Sequence, residues 1–307
     1  MKKIFLTIMM MTFVSLIFGN FVYQKSGDGV RITFSNDNFE GKGNLYKIIA
    51  LPTKNAEIEV KNCEISIYSE KGKFLRTERQ TGNDRVRITG SFVMRELFGH
   101  QIELILNKKE RGEISKIKNI DFEIKPVDEV KIPSKISAAF LPVYKSFADN
   151  FSTSYLRDAE VVPSKMLIIT HSNTIENLSD FIIWKNQRGI ATEVVAVEEI
   201  GSTSTQIKSY IQNVYESSEE PPDYLLLVGD VDDDFEIPSF YISAENDVTD
   251  LPYTLLEGDD YFPEMLAGRF SIDSMIELIT MMNMAFASQR SGCFCRSFRP
   301  SYKHKIQ

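Results

Sequence analysis

The chain is poor in the residues that usually announce chemistry. Its 307 residues hold three cysteines, three histidines and one tryptophan. Three cysteines, Cys63, Cys293 and Cys295, do not make a disulfide framework. Cys293 and Cys295 stand one residue apart with only His304 nearby, too few ligands for a tetrahedral zinc site. Positive charge is in deficit: 35 Lys and Arg face 43 Asp and Glu, for a net charge of -8. That balance argues against a nucleic-acid role, because phosphate binding needs clustered cations. Internal repeats and low-complexity tracts are absent. What is present, 43% hydrophobic and 25% charged residues, is ordinary for a globular protein. The length leaves room for about two domains of roughly 100–200 residues each.

One long apolar run exists, at the amino terminus. Lys2 and Lys3 precede Ile4–Phe18, which is broken only by Thr7, Thr12 and Ser15. The run is shorter than the roughly 20 residues a membrane-spanning helix needs. It reads as a signal peptide over residues 1–19, with cleavage after Gly19 and no membrane span left afterwards. The competing reading is an uncleaved anchor. Export would place the protein in the periplasm, at the cell surface or outside the cell.

Residues 20–160 read as a β-rich, sandwich-like domain with a connector. Val30–Phe34 alternates with period two between the turn signals Gly27-Asp28-Gly29 and Asn36-Asp37-Asn38. Further strands are expected at Leu45–Leu51, Ala56–Tyr68, Val86–Thr89, Ile102–Leu106 and Ile120–Ile124. Cys63 falls in such a run and reads as a small buried hydrophobe. His100, after Gly99, reads as a satisfied surface or turn histidine.

The texture changes at Pro163. Met166–Thr170 is a continuous apolar run, the mark of a strand buried on both faces. A helix follows, with Asn173 and Glu176 in capping-box positions and Gly189 just past its end. Thr192–Val197 reads as the next strand. Thr203 and Gln206 make a second capping box, and Ile207, Tyr210, Ile211, Val214 and Tyr215 give the helix after it an apolar face. Tyr224–Val228 is a third buried strand, closed by Gly229-Asp230. A short strand over Tyr261–Leu266 and a helix over Asp273–Ala287 complete residues 161–287. The order β-α-β-α-β predicts a parallel sheet with flanking helices. Its sites belong beyond the strand carboxyl ends at Thr170-His171, Val197-Glu198 and Gly229-Asp230.

Three segments carry a resemblance. They are Trp184-Lys185-Asn186-Gln187-Arg188-Gly189 with Thr192-Glu193-Val194 after it, Tyr224–Asp230 followed by Ile237-Pro238, and Asp259–Ser271 with its Gly268-Arg269-Phe270-Ser271 end. In this order, over roughly residues 140–285, they resemble the front half of gingipain-type cysteine peptidases, the C25 family. The resemblance implies a caspase-like α/β fold, here incomplete, preceded by a propeptide-type β domain. It implies an exported endopeptidase of protein or peptide substrates, in which a thiolate attacks the peptide carbonyl and an imidazole moves the proton. In the family the histidine lies in a Gly-His-Gly-like turn and the cysteine follows an apolar strand ending in Ala-Cys. Both come after the Gly-Arg-Phe-Ser segment, and neither pattern occurs here. The expectation is therefore a chain cut before its catalytic residues and inactive, with no catalytic residue to name; His171 is expected to be a loop residue. The alternative is a non-catalytic exported binding or propeptide-like module.

The resemblance also implies structural calcium. Asp247, Asp250, Asp259, Asp260 and Glu264 are the candidate ligands, against the reading of a solvated acidic loop. Asp230–Asp234 starts like an EF-hand, but Phe235 replaces the required glycine and Tyr241 the bidentate glutamate. Trp184 is expected in packing, Lys185 and Arg188 on a solvated helix face, and Arg269 paired with a carboxylate. From residue 288 to 307 the chain is basic, lacks acids and follows no hydrophobic period. This atypical tail reads as a frameshifted run, with a natural basic tail as the competitor.

Overall fold

The computed structural model describes residues 20–36, 43–243 and 247–290. The expected signal peptide, the tail from residue 291, Cys293, Cys295 and His304 lie outside them. The chain forms two compact units. The first takes the chain up to Phe92, then Leu97–Pro133 and Tyr144–Asp158; the second takes Val93–Glu96, Ser134–Val143 and the chain from Ala159.

The first unit is built from β1 (Asn20–Ser26), β2 (Gly29–Ser35), β3 (Leu45–Ala50), β4 (Ala56–Ser69), β5 (Phe74–Gln80), β6 (Val86–Met94), β7 (Leu97–Leu104), β8 (Asn107–Glu110) and β9 (Glu113–Pro126). One sheet runs β1-β2-β9-β4-β5, with β8 on β9, and a second runs β3-β7-β6. Period-two alternation sends Val30, Ile32 and Phe34 of β2, Val60, Cys63, Ile65 and Ile67 of β4, and Ile120, Phe122 and Ile124 of β9 into one core. Ile49, Ile102 and Leu104 of the second sheet enter the same core. Cys63 is buried there as a small apolar residue, and burial pushes its thiol up. Three strands were not foreseen. β1 pairs with β2 through Gly27 at a φ of 59° and packs Phe21 and Tyr23 against the core, while β5 is largely exposed and β8 is short and polar, so those last two show no buried face.

The second unit contains β10 (Lys135–Ser137) paired with β11 (Glu160–Val162); α1 (Leu141–Phe147), between them in sequence, starts in this unit and runs into the stretch of the first that begins at Tyr144. Then follow β12 (Lys165–Thr170), α2 (Ser179–Gln187), β13 (Ala191–Ala196), α3 (Val197–Ile200), α4 (Ser204–Ser217), β14 (Tyr224–Val228), β15 (Phe240–Ile242), β16 (Asp247–Thr249), β17 (Leu266–Phe270) and α5 (Met275–Arg290). A four-stranded sheet has the order β13-β12-β14-β17 with every pair parallel. Leu167 and Ile169 of β12 and Leu225 and Leu227 of β14 face α4 through Ile207, Ile211 and Tyr215. Met166, Ile168, Leu226 and Val228 face α2 and α5 through Phe181, Leu278 and Met282. Two covered faces explain why these strands are apolar without interruption.

Thr203 and Gln206 form the expected reciprocal capping box. The one expected at Asn173 and Glu176 does not form. Residues 172–174 and 176–178 make tight three-residue turns, and α2 begins later with no side-chain cap. The third hydrophobic segment is displaced as well: Tyr261–Met265 is loop, and the strand is Leu266–Phe270. Gly189, at a φ of 77°, follows the end of α2 as expected.

Candidate functional site

The carboxyl ends of β12, β13 and β14 deliver His171, Glu198 and Asp230. His171 follows β12 directly. Its Nδ1 lies 3.2 Å from Glu198 Oε1, its Nε2 lies 3.0 Å from the Glu236 carbonyl oxygen, and its ring meets Phe235 edge-on at 5.9 Å. Burial pushes Glu198 up, but its own backbone N–H, that of Ser172 and His171 together hold it below its ordinary range. His171 therefore fastens the segment after β14 to the start of α3, a loop role built on a polar cluster.

That segment is shaped by Gly229 and Arg269. Gly229 has a φ of 154°, and a Cβ there would stand 2.2 Å from the Phe235 carbonyl oxygen. Arg269, from β17, grips Asp250 with two nitrogens, Nε at 2.9 Å and Nη2 at 2.7 Å. Its Nη1 donates to the carbonyls of Gly229 at 3.0 Å and Ile237 at 2.8 Å, and its Nη2 to Ser239 Oγ at 3.0 Å. The planar guanidinium suits this task, since its five donors lie in a fixed fork. The expected carboxylate partner is thus Asp250. Asp230, Asp232, Asp233 and Glu277 gather around Asp273, whose carboxyl is raised by burial and by these like charges.

The five candidate calcium ligands take separate partners. Asp250 is occupied by Arg269, and a guanidinium in that position competes with any cation. Asp247 accepts from the N–H of Val248, and Asp259 is exposed. Asp260 accepts from Val93 N at 2.9 Å and Phe262 N at 2.8 Å. Glu264 is fully buried and closes its loop by accepting from Leu256 N and Glu257 N. Burial lifts its carboxyl to about 7 against those two N–H groups. Among the described residues no three His, Cys, Asp or Glu side chains stand together so as to hold a metal ion. The five residues as described do not fit a calcium cage.

Arg95 was invisible to sequence reasoning. It lies in Val93–Glu96, adopts a φ of 52°, and its side chain is 4% exposed. It pairs with Asp223 at 3.0 Å, donates to the carbonyls of Pro222 and Glu264, and lies over the rings of Phe140 and Tyr215 at 4.9 and 5.8 Å. Asp223 immediately precedes β14, so this buried pair sits at the amino end of the sheet, away from the carboxyl ends. No local pattern marks an arginine in a β-rich stretch as part of an α/β unit.

Two histidine and aromatic expectations change. His100 is not at the surface: it is wholly buried in β7, satisfied by Ser91 and Thr53. Lys185 and Arg188 do not simply face water, for they lie over the Trp184 ring at 4.8 and 5.5 Å. Burial pushes the Lys185 ammonium down. Trp184 itself packs on Phe181 and Phe286, as expected of a packing residue.

Comparison with known proteins places this α/β segment. The family model for peptidase family C25 matches residues 160–297. Over those residues the chain is similar to family C25. The match takes in 288–297, so the resemblance continues past the point where composition sets off the tail. Gingipain R2 of Porphyromonas gingivalis (strain W83) is 33% identical over 155 residues, covering 50% of this chain and 20% of that protein. Lys-gingipain of Porphyromonas gingivalis (strain ATCC 33277) is 30% identical over 189 residues, covering 56% of this chain and 10% of that protein. The chain thus spans about a fifth, or less, of the length of these relatives. The crystal structure of the Arg-specific cysteine proteinase gingipain R aligns at 32% identity with a TM-score of 0.36, over 39% of this chain and 27% of that one.

Proposed function

We propose that this chain is the amino-terminal portion of an exported gingipain-type cysteine endopeptidase acting on protein or peptide substrates. The observation that carries the reading is the C25 match over residues 160–297, laid on a parallel sheet whose carboxyl ends gather His171, Glu198 and Asp230. A caspase-like arrangement, with a propeptide-like β unit before it, is the architecture this reading assigns. Thiolate chemistry needs a cysteine beside an imidazole. The described residues of the second unit contain no cysteine, and Cys63 and His100 belong to the first unit. These residues alone therefore supply no thiol nucleophile. Purified chain assayed on a broad set of peptide substrates is expected to give no hydrolysis that a thiol blocker abolishes; such hydrolysis would overturn the assignment of an inactive portion.

Export rests on Lys2, Lys3 and the apolar run Ile4–Phe18. No described helix is long and apolar enough to cross a membrane. Amino-terminal sequencing of the secreted product should begin at Asn20. Calcium enters as a proposal for the whole peptidase domain rather than for the five carboxylates above. Isothermal titration of this chain with calcium, with magnesium as control, tests whether any site is already present.

A second reading is favoured by the closed core between the two sheets of the first unit: a non-catalytic binding or propeptide-like module. A monodisperse, cooperatively folded chain supports it. An aggregating chain supports the peptidase portion instead.

A further inference from the structure

We propose that His100 is an acid-operated latch on the β3-β7-β6 sheet, closed while its ring is neutral and opened by protonation. The geometry fixes the neutral ring. A carbonyl oxygen can only accept, so the 3.0 Å contact between Nε2 and the Thr53 carbonyl places the proton on Nε2. Nδ1 then accepts from Ser91 Oγ at 2.9 Å. One ring thereby ties β6, through Ser91, to the turn after β3, through Thr53, while its own backbone pairs with Ile49. That turn is a junction: Leu51 N donates to Phe98 O, Lys131 N to Pro52 O, and Val127 N to Asn55 O.

A second proton would place a full charge in a wholly buried site with only neutral partners. The charged groups on the surrounding elements are engaged elsewhere. Arg87 of β6 pairs with Glu103 of β7, Lys47 of β3 pairs with Asp149, and Lys54 in the turn is exposed. No carboxylate acts on the ring. Burial pushes the imidazole below its ordinary range, opposed only by the Thr53 carbonyl. The closed state therefore binds the second proton more weakly than the open state. Closure is fully stable above the ordinary histidine value of about 6.5, and it is lost as pH falls from there through the lowered value. Within that window the ratio of open to closed sheet rises by up to about tenfold per pH unit.

The test is amide hydrogen exchange on the full chain from pH 7.5 to 4.5, corrected for the intrinsic pH dependence of exchange. Exchange of Leu97–Leu104 is expected to rise as pH falls below about 6.5, while β12 and β14 stay protected. His100→Gln should flatten the rise, and His171→Asn should leave it in place. Should His100→Gln not fold, proton NMR of the unmodified chain decides: a ring titrating below 6.5 in step with the exchange rise supports the latch. Flat exchange down to pH 4.5, a rise that survives His100→Gln, or simultaneous opening of β12 and β14 overturns it.

Discussion

The two units solve the burial problem in opposite ways. In the first, the central strands β2, β9 and β4 of the six-stranded sheet each have one wet face, and cross-strand ion pairs line the sheet there: Arg31 with Asp121, Lys118 with Glu64, Arg76 with Glu113, and Lys125 with Glu59. In the second, β12 and β14 are covered on both faces, so polar groups collect at the strand ends. There they are held by single buried cations, Arg269 at the carboxyl ends and Arg95 at the amino ends. The difference teaches where each unit can fail. An antiparallel unit with many weak exposed pairs loses little from any one of them. A parallel unit that concentrates acid around two arginines depends on each.

The largest effect should come from its core. Leu227 is fully buried in β14, and Leu227→Ala is expected to cost about 2–5 kcal/mol. In calorimetry this should lower the transition of the second unit and spare that of the first. A single transition that shifts as a whole would show that the units unfold together and would break the comparison.

Arg269→Met comes next. It removes a largely buried cation, leaves Asp250 without its guanidinium, and takes the arginine donor from the Gly229, Asp230 and Ile237 carbonyls and the Ser239 hydroxyl. A loss on the order of 3 kcal/mol follows from stranding such a group. Double substitution of Arg269→Met with Asp250→Asn should recover part of it, and denaturant melts of the four proteins measure the coupling.

The pH dependence of the second unit separates it further. The Glu264 carboxyl is lifted to about 7 in the folded chain, from 4.5 when unfolded. A raised acid binds its proton more tightly in the folded state. Its contribution is complete below about 4.5, declines as pH rises towards 7, and is gone above. The loss is on the order of 3 kcal/mol at one pKa unit per 1.36 kcal/mol. Melting temperatures from pH 4.5 to 7.5 should show this decline in the unmodified chain and a flatter profile in Glu264→Gln, whose amide oxygen still accepts from Leu256 and Glu257. The first unit should show the reverse slope if His100 acts as proposed, being weaker in acid.

Legibility divides along the same line. Apolar runs such as Leu225–Val228 declare a doubly covered strand because nothing polar fits on either face, and Thr203 with Gln206 declares a helix start because the bonds are local. The site was legible only in its placement at the strand ends. Which side chains meet there depends on contacts such as Arg269 with Asp250, or His171 with Glu236 across 65 positions, and no local rule records them. The five expected calcium ligands take separate partners for the same reason, since nearness in sequence is not nearness in space. His100 is satisfied as expected, but within a strand rather than a turn, for Gly99 before it lies where a Cβ would meet Phe92 at 2.2 Å. The close approach of that ring, rather than a bend, is what the glycine serves.

The smallest expected effect is the sharpest check on the contrast. Arg31 pairs with Asp121 across neighbouring strands β2 and β9 with its side chain half exposed. Exposed pairs contribute about 0.2–1 kcal/mol and weaken with salt. Arg31→Ala should therefore shift the first unit's melt by less than 1 kcal/mol at low salt and by less still at 1 M salt. If it costs as much as Arg269→Met, the ladder of pairs on the wet face acts as one cooperative network, and the first unit is as dependent on single arginines as the second.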